Sequence, residues 1–465
     1  MSVDITIRPE TNSHVLTDWN PEDPAYWESK GRKTAFRNLF ISMPALLLAF
    51  AVWMVWSVVV VNLPNIGFKF DTDQLFWLAA LPGLSGATLR IFYSFMVPIF
   101  GGRLWTALST ASLLLPAIGA GIAVQNPSTP YAAFLILALL CGFGGGNFAS
   151  SMANISFFFP KAKKGMALGM NAGIGNLGVS VVQFVVPLVI ASVVFGTLGG
   201  EAQTWVKGDA SKQMWLQNAG FIWVPFIIVC SLAAWFGMND ISTAKASFSD
   251  QAVIFKRKHN WIMCWLYIGT FGSFIGYSAG FPLLIKTQFS DVNPLTYAFL
   301  GPLVGSVARV IGGFLSDKLG GGRVTFWTFL LMIVAVFGVL HFLEAKNFEG
   351  FLAMFLLLFA GTGVGNASTF QMIPIIFLNE QKRLANGTQS ETETQKLAGK
   401  EAAAVLGFSS ALAAYGAFFI PKSYGTSISM TGGPEAALYG FIIFYVTCVM
   451  ATWWWYARKN AEIKC

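Results

Sequence analysis

The sequence predicts an all-α integral membrane protein with twelve transmembrane helices, arranged as two pseudo-symmetric six-helix bundles. Composition, a count of apolar runs and an internal repeat lead to this prediction. The 465 residues are 55% hydrophobic and 11% charged, with a mean hydropathy of +0.60, whereas a soluble protein carries about 25% charged residues. The composition excludes a soluble enzyme and a nucleic-acid-binding protein. The five cysteines lack metal-ligand spacing, so we expect neither a metal site nor a cofactor.

Runs of about 20 apolar residues, the length of a membrane-spanning helix, occur twelve times along the chain. They divide the sequence into five predicted segments, of which the two bundles are the largest. A second polar stretch, 379–401, is predicted to be a loop between the tenth and eleventh spans. The segments are a cytoplasmic N-terminal segment 1–40, a first bundle 41–238, a cytoplasmic linker 239–259, a second bundle 260–456 and a cytoplasmic tail 457–465.

Basic residues predict the orientation of the chain in the membrane. With the N-terminus inside, the cytoplasmic segments hold 22 of the 30 lysines and arginines and the outer segments hold six. Cytoplasmic loops of membrane proteins carry an excess of Lys and Arg, so we place both termini in the cytoplasm. The net charge of +8 then reflects this orientation and requires no acidic partner such as a nucleic acid.

An internal repeat relates the two halves of the chain at one fixed offset, that between Arg90 and Arg309. Each match alone is weak in a sequence with 47 glycines, but three separate segments share the offset. It superimposes Leu81, Leu84, Gly86 and Arg90 on Leu300, Leu303, Gly305 and Arg309; Gly101 and Gly102 on Gly320 and Gly321; and Gly142, Gly144, Gly146 and Asn147 on Gly361, Gly363, Gly365 and Asn366. Two parallel repeats predict a substrate site near the midplane between the halves.

Arg90 and Arg309 lie in the middle of the second and eighth predicted spans, where a charge is costly. One interpretation is that carboxylates or helix carbonyls hold them as structural residues. However, all 22 Asp and Glu residues fall in predicted loops or at span edges. Guanidinium groups suit planar oxyanions, so the pair predicts an anion-binding site. The three histidines also lie at termini or span ends, which favours anion exchange over proton coupling.

The fifth span is rich in glycine. Gly173, Gly175 and Gly178 match a dinucleotide-binding pattern, but that pattern needs a preceding strand, and an apolar helix runs through it here. Gly165, Gly169 and Gly173 share one helix face, which permits close helix packing. Either packing is their only role, or an Asn amide also reaches the ligand where the helix is thin. Of Asn171 and Asn176, we prefer Asn176, three residues beyond Gly173.

Three aromatic residues are candidates for the site, although most aromatic residues in such a chain face lipid or the core. Tyr267 and Phe271 are four residues apart on the seventh span and therefore share a face. Phe148 follows Asn147, which belongs to the repeat. A planar anion can lie flat between such rings with its edge toward the guanidinium groups.

Several motifs resemble those of a known family. The stretch Gly312–Arg323 (GGFLSDKLGGGR) resembles the loop signature of the major facilitator superfamily. The stretches Gly169–Gly178 and Gly361–Gln371 resemble the two Gly-rich signatures of its nitrate/nitrite porter family, and agreement extends over essentially the whole chain. The similarity is greatest to bacterial nitrate/nitrite antiporters.

This resemblance implies the major facilitator fold and an exchange of nitrate for nitrite across a bacterial inner membrane. It implies that a monomer in the lipid bilayer holds the anion with residues of both halves, and that glycines of the two signatures allow packing and gating. The implied anion-binding residues are Arg90, Arg309, Asn176, Phe148, Tyr267 and Phe271, and the implied glycines are Gly165, Gly169, Gly173, Gly175, Gly361, Gly363 and Gly365. A nitrate/proton symporter, an organic-phosphate exchanger and a non-transporting anion sensor are the alternatives; an enzyme is disfavoured because no nucleophile–base pair lies in the spans.

Overall fold

A computed structural model describes residues 14–242, 252–385, 390–463 and residue 465. Within these residues twelve helices are long and apolar enough to cross a membrane, which confirms the predicted number. They are α1 (Pro24–Ile66), α2 (Thr72–Tyr93), α3 (Gly102–Ala123), α4 (Tyr131–Phe158), α5 (Lys161–Val189), α6 (Asn218–Gly237), α7 (Lys258–Gln288), α8 (Pro294–Leu319), α9 (Gly321–Glu344), α10 (Phe348–Ala385), α11 (Glu391–Thr431) and α12 (Glu435–Ala457).

Several of these helices are interrupted by irregular turns. A short helix, Met96–Phe100, lies between α2 and α3, and a 3₁₀ turn, Ala252–Lys256, precedes α7. The regular α-helical pieces of the interrupted spans are Pro24–Tyr26, Arg32–Trp53 and Trp56–Asn62 in α1; Gly102–Ala111 and Leu114–Ala123 in α3; Asn218–Phe221 and Val224–Gly237 in α6; Lys258–Tyr267 and Ser273–Gln288 in α7; Leu300–Leu319 in α8; Glu391–Ala414 and Gly416–Thr431 in α11; and Glu435–Thr452 in α12.

Four short strands lie at opposite ends of the helices. Strand β1 (Val15–Leu16) pairs in parallel with β4 (Asp240–Ile241) beside the N-terminus. Strands β2 (Gln203–Lys207) and β3 (Ala210–Met214) form an antiparallel hairpin between α5 and α6. The side of the molecule that carries this hairpin is called the hairpin end, and the side that carries both chain termini is called the terminal end.

The helices form two six-helix bundles, α1–α6 and α7–α12, with equivalent internal packing. In the first bundle α2 packs against α4, and in the second α8 packs against α10, its counterpart in the repeat. The bundles meet mainly where α2 packs against α11; in addition, α1 and α2 pack against α7, α4 against α11 and α5 against α8. Arg90 on α2 and Arg309 on α8 therefore lie on helices that line the interface between the bundles.

Hydrogen bonds between the bundles are concentrated at the hairpin end. There the Lys422 ammonium lies 2.5 Å from a carboxylate oxygen of Asp73, and Lys286 donates to Asn65 Oδ1 at 3.0 Å. Lys207 in the hairpin donates to the carbonyl of Ser290. At the terminal end, no hydrogen bond joins the two bundles within the described part of the chain. The bundles are thus tied together at one end only.

The polar stretch 379–401 is mostly helical, so the prediction of a loop there is wrong. Helix α10 continues to Ala385, and α11 begins at Glu391 after Ser390, whose hydroxyl accepts from the backbone N–H of Glu393 at 3.2 Å. Counting apolar residues marks only the part of a helix that lies in lipid. Gln, Glu, Lys and Ala are strong helix formers, which explains why both helices extend past the apolar region.

Candidate functional site

Arg90 lies at the centre of the interface between the bundles, completely buried on α2. Its Nε donates to the carbonyl of Gly145 on α4 at 3.0 Å, and its Nη1 donates to the carbonyl of Ser410 on α11 at 3.1 Å. The third nitrogen, Nη2, is buried without a hydrogen-bond partner. Arg90 therefore joins the two bundles and still has donor capacity left over.

Glycine makes the contact between Arg90 and α4 possible. A Cβ atom on Gly145 would lie 2.7 Å from the Cα of Gly86 on α2 and 2.7 Å from the indole ring of Trp53. The two helices can approach this closely because neither carries a side chain at the contact. Only with this approach does the Gly145 carbonyl come within hydrogen-bonding distance of Arg90.

Three aromatic rings surround the Arg90 guanidinium group. Its central carbon lies 4.6 Å from the ring centre of Phe148, 5.5 Å from that of Phe271 and 5.3 Å from that of Trp53. These distances are within the range of cation–π attraction. The predicted residues Phe148 and Phe271 are thus brought together around the predicted arginine, from opposite bundles.

The three predicted aromatic residues form one continuous stack. The rings of Phe148 and Phe271 are 6.4 Å apart at an interplanar angle of 23°, and those of Phe271 and Tyr267 are 5.6 Å apart at 19°. The last pair confirms that Tyr267 and Phe271 share one face of α7. Each ring offers a flat face, which suits the shape of a planar ligand, and an edge of positive partial charge, which attracts an anion.

The stack depends on an irregular segment of α7. Residues Ile268–Gly272, which include Phe271, form a π-helical turn directly after Tyr267. Single π turns inside α-helices are rare and are frequent at functional sites. In the sequence the Gly-Thr-Phe-Gly stretch of this turn gives no signal that separates it from an ordinary helix.

Arg309 has fewer partners than Arg90. It is partly exposed on α8, and its Nη1 is buried without a hydrogen-bond partner. Its guanidinium carbon lies 5.8 Å from the ring of Phe370 on α10. Tyr267 lies near both Arg309 and Arg90.

No acidic side chain neutralises either arginine within the described part of the chain. The buried carboxylate of Glu401 pairs instead with Arg257 at 2.7 Å, where α7 begins. Two uncompensated positive charges in a site of low dielectric attract an anion strongly. The surroundings fit a small planar anion better than a metal ion or a cofactor.

Asn176 does not contact the arginines through hydrogen bonds in the part of the chain that is described. Its side chain is buried on α5, and its Oδ1 has no hydrogen-bond partner. The neighbouring Gly175 packs against Leu46 on α1, which a Cβ would approach to 2.9 Å. The other candidate, Asn171, donates to Ser151 Oγ at 2.8 Å and belongs to the interior of the first bundle.

The predicted close packing at Gly165, Gly169 and Gly173 is absent, and this expectation is wrong for this structure. A Cβ on any of the three would find no atom within 4 Å. The three glycines lie in the first half of α5, near the terminal end, where the described residues form no hydrogen bond between the bundles. The glycines of the second signature are tightly packed: Gly361 against Met332, Gly363 against Gly305, and Gly365 against Thr270.

Sequence reasoning missed two contributors to the site. Trp53 lies under the Arg90 guanidinium and donates its indole N–H to the carbonyl of Pro82 at 2.6 Å; among 16 tryptophans nothing marks it. Ser410 contributes only a backbone carbonyl, which any residue would supply. Helix packing alone reveals both contacts.

Comparison with known proteins assigns the fold and family. Residues 45–388 match the Major Facilitator Superfamily. The chain is 53% identical to "Nitrate/nitrite transporter NarU" of Escherichia coli strain K12, over 99% of this chain and 100% of the relative. It is 45% identical to "Probable nitrate/nitrite antiporter NarK2" of Thermus thermophilus, over 97% and 98%.

A solved structure, the xylose transporter XylE from E. coli in a partially occluded inward-open conformation, has the same fold. The TM-score is 0.63 at 13% identity, covering 90% of this chain and 99% of that structure. These relatives are transporters, so the chain is a multi-pass protein of the inner membrane and is not an enzyme. It belongs to the nitrate/nitrite porter family of the Major Facilitator Superfamily.

Proposed function

We propose that this protein transports nitrate and nitrite and exchanges one for the other across the bacterial inner membrane. The observation that carries this proposal is the pair of uncompensated guanidinium groups of Arg90 and Arg309 at the interface of the bundles. The named activity of the relatives supports the choice of anion. Both anions are small, planar and singly charged, and they accept hydrogen bonds at their edges.

In the proposed binding mode the anion lies between the two arginines. Arg90 Nη2 and Arg309 Nη1 are the buried donors that have no partner, and one anion oxygen accepts from each. The flat face of the anion lies against the rings of Phe148 and Phe271, and Tyr267 lies beside both arginines. Asn176 on α5 supplies an amide as the bundles move. Charge-assisted hydrogen bonds are the strong ones, so the arginines supply most of the binding energy.

The site becomes accessible to each side of the membrane in turn. The bundles 41–238 and 260–456 rock around the anion site, as parallel repeats do in transporters. In the conformation described, hydrogen bonds and the Lys422–Asp73 pair join the hairpin end. With both termini in the cytoplasm, as the excess of basic residues favours, the hairpin end faces outward and the site opens toward the cytoplasm.

Glycines act as the gating surface of this movement. Gly165, Gly169 and Gly173 present a smooth strip of α5 that has no neighbour in the conformation described. When the terminal end closes, this strip receives a helix of the second bundle. Glycine permits the close approach because it has no side chain.

Exchange follows from the charges. Closing an empty site buries two like charges side by side, which is unfavourable at low dielectric. A bound anion compensates part of that charge, so the bundles rearrange readily only when the site is loaded. The described site residues contribute no Asp, Glu or His that would carry a proton, which favours exchange over nitrate/proton symport. A monomer is sufficient, because one chain supplies both arginines.

The test is nitrate entry into proteoliposomes at equal pH on both sides, with the vesicles loaded with nitrite or left empty. Exchange predicts uptake only into the nitrite-loaded vesicles. Uptake into empty vesicles that increases when the outside is acidified would establish proton symport instead. Competition by phosphate esters would indicate an organic-phosphate exchanger, and binding without flux would indicate a sensor; either result contradicts the proposal.

A further inference from the structure

A small polar cavity lies inside the first bundle. It has a volume of about 10 Å³ and is lined by residues of α1, α3 and α4. Its walls are mainly hydroxyl groups, and each hydroxyl-bearing residue is at least nine-tenths buried. The lining consists of Ser42, Ala45, Leu46, Thr106, Ser109, Thr110, Asn147, Ser150 and Ser151.

One polar atom in this wall has no partner. The side chain of Asn147 is 5% exposed, and its Nδ2 donates to the carbonyl of Ser109 at 3.3 Å. Its Oδ1 is buried and accepts no hydrogen bond. A buried polar atom left without a partner costs about 1–3 kcal/mol, so the arrangement calls for a donor inside the cavity.

We infer that this cavity binds one water molecule, which donates a hydrogen bond to Asn147 Oδ1. A cavity of this kind needs roughly 10–15 Å³ to hold a water, and the water needs two to four polar partners. Ser42 and Ser151, whose hydroxyl oxygens lie 2.8 Å apart, retain acceptor capacity for its second proton. Through Ser42 the water thereby bridges α1 and α4.

The size and charge of the surroundings exclude the other candidates. Nitrate and nitrite contain several heavy atoms and exceed the space for one water. A sodium ion is small enough, but no carboxylate lines the cavity. The next residue along the chain, Phe148, has its ring 4.6 Å from the Arg90 guanidinium carbon, and this nearby positive charge opposes a cation.

The internal repeat gives the buried asparagine of this cavity a counterpart in the second bundle. Asn366, the counterpart of Asn147 in the second bundle, is 1% exposed, and its Oδ1 also lacks a partner. Hydroxyl residues recur around it at the same offset: Thr325, Thr328 and Thr369 correspond to Thr106, Ser109 and Ser150. The buried asparagine and three of the six hydroxyl positions thus recur in the second bundle, whereas Trp261, Phe329 and Phe370 replace Ser42, Thr110 and Ser151 there.

The test is X-ray hydroxyl-radical labelling of the full-length protein in lipid nanodiscs after mixing with H₂¹⁸O. Leu46 lines the cavity and is 1% exposed, so a water bound in the cavity is placed to supply radicals to it, whereas bulk water has little access. We expect oxidation of Leu46 with slow exchange of the oxygen label. Leu78, which is 0% exposed and has the same intrinsic reactivity, is the control and should remain unmodified.

Two variants complete the test. Asn147→Leu fills the cavity and removes the acceptor, so the labelling of Leu46 should be lost. Thr110→Val keeps Asn147 Oδ1 and should retain the labelling, which controls for general effects of changes in this wall. An unlabelled Leu46 in the unmodified protein, or equal labelling in Asn147→Leu, would overturn the inference. Protection of Leu46 by sodium but not by choline would assign the cavity to a cation and overturn it as well. None of these results depends on which anion is transported.

Discussion

The two bundles present an arginine at the same repeat position but surround it differently. Arg90 is fully buried, donates to two backbone carbonyls and contacts three aromatic rings. Arg309 is partly exposed and forms no hydrogen bond within the described part of the chain; one ring, that of Phe370, lies within cation–π distance. The two arginines therefore occupy equivalent positions in the repeat, but different contacts hold their side chains. We interpret Arg90 as a rigidly held residue of the site and Arg309 as the residue whose side chain moves to contact the anion.

The Gly-rich signatures also differ between the bundles, but here the glycines of the second bundle are the more tightly packed ones. In the first bundle, Gly169 faces open space, whereas in the second bundle Gly363 is pressed against the backbone of Gly305 and the N–H of Arg309. The first bundle thus holds its arginine tightly, while one face of α5, at Gly165, Gly169 and Gly173, has no neighbour. The second bundle packs α8 tightly against α10 and leaves the guanidinium group of Arg309 without a hydrogen bond among the described residues.

The largest expected effect distinguishes the two arginines directly. Both Arg90→Lys and Arg309→Lys should abolish nitrate transport, because an ammonium group cannot reproduce the planar fork of donors. Only Arg90→Lys should also destabilise the protein, since it loses the bond from Nε to Gly145 and the contact with three rings. Transport is measured in proteoliposomes, and stability is measured as the melting temperature in detergent.

The matched control for these variants is Arg323→Lys, because Arg323 is an exposed basic residue at the start of α9. It should retain both transport and melting temperature. Full transport by either midplane variant would contradict the proposed binding mode. An equal fall in melting temperature for both variants would show that the additional contacts of Arg90 do not make the protein more stable than those of Arg309 do.

The glycine contrast gives the next effect in size. Gly363→Ala should destabilise the protein by about 1–3 kcal/mol, because its Cβ collides with backbone atoms that cannot yield. Gly169→Ala has space around it and should raise the melting temperature, since alanine favours a helix by about 1 kcal/mol over glycine. It should nevertheless slow nitrate/nitrite exchange if the glycine strip closes against a helix. Unchanged exchange in Gly169→Ala would remove the gating role proposed for this glycine.

The fold was more predictable from the sequence than the surroundings of the site. Twelve apolar runs and the offset between Arg90 and Arg309 are properties of single residues and their spacing, which packing does not alter. The carbonyl of Ser410 and the indole of Trp53 reach Arg90 only because three helices meet there. The open face at Gly169 depends on where the neighbouring helices are placed in the assembled fold. No residue pattern records it.

Cation–π contacts provide a smaller test of the same asymmetry. Phe148 lies 4.6 Å from the guanidinium carbon of Arg90, and Phe370 lies 5.8 Å from that of Arg309. Such contacts are worth about 0.5–2 kcal/mol. Phe148→Leu should therefore raise the KM for nitrate about 2- to 30-fold, whereas Phe370→Leu should raise it less. Initial rates of exchange over a range of nitrate concentrations measure both values. Equal effects of the two variants would argue that both arginines are anchored alike.

The smallest effect concerns the ion pair between Asp73 and Lys422, which joins the two bundles at the hairpin end. Asp73 and Lys422 pair across α2 and α11, the same two helices that carry Arg90 and Ser410. The pair is partly exposed, so it contributes about 0.2–1 kcal/mol, and Asp73→Asn should loosen the hairpin end only slightly. We expect the KM for nitrate added at the hairpin face to fall by at most about fivefold.

Asp291→Asn is the control for this last change, because Asp291 is exposed at the same end and forms no ion pair within the described residues. It should leave the KM unchanged. If Asp73→Asn also lowers the melting temperature as much as Arg90→Lys does, the anchorage of Arg90 depends on closure of the hairpin end. In that case the difference between the two arginines belongs to this conformation and would reverse or vanish when the bundles rock.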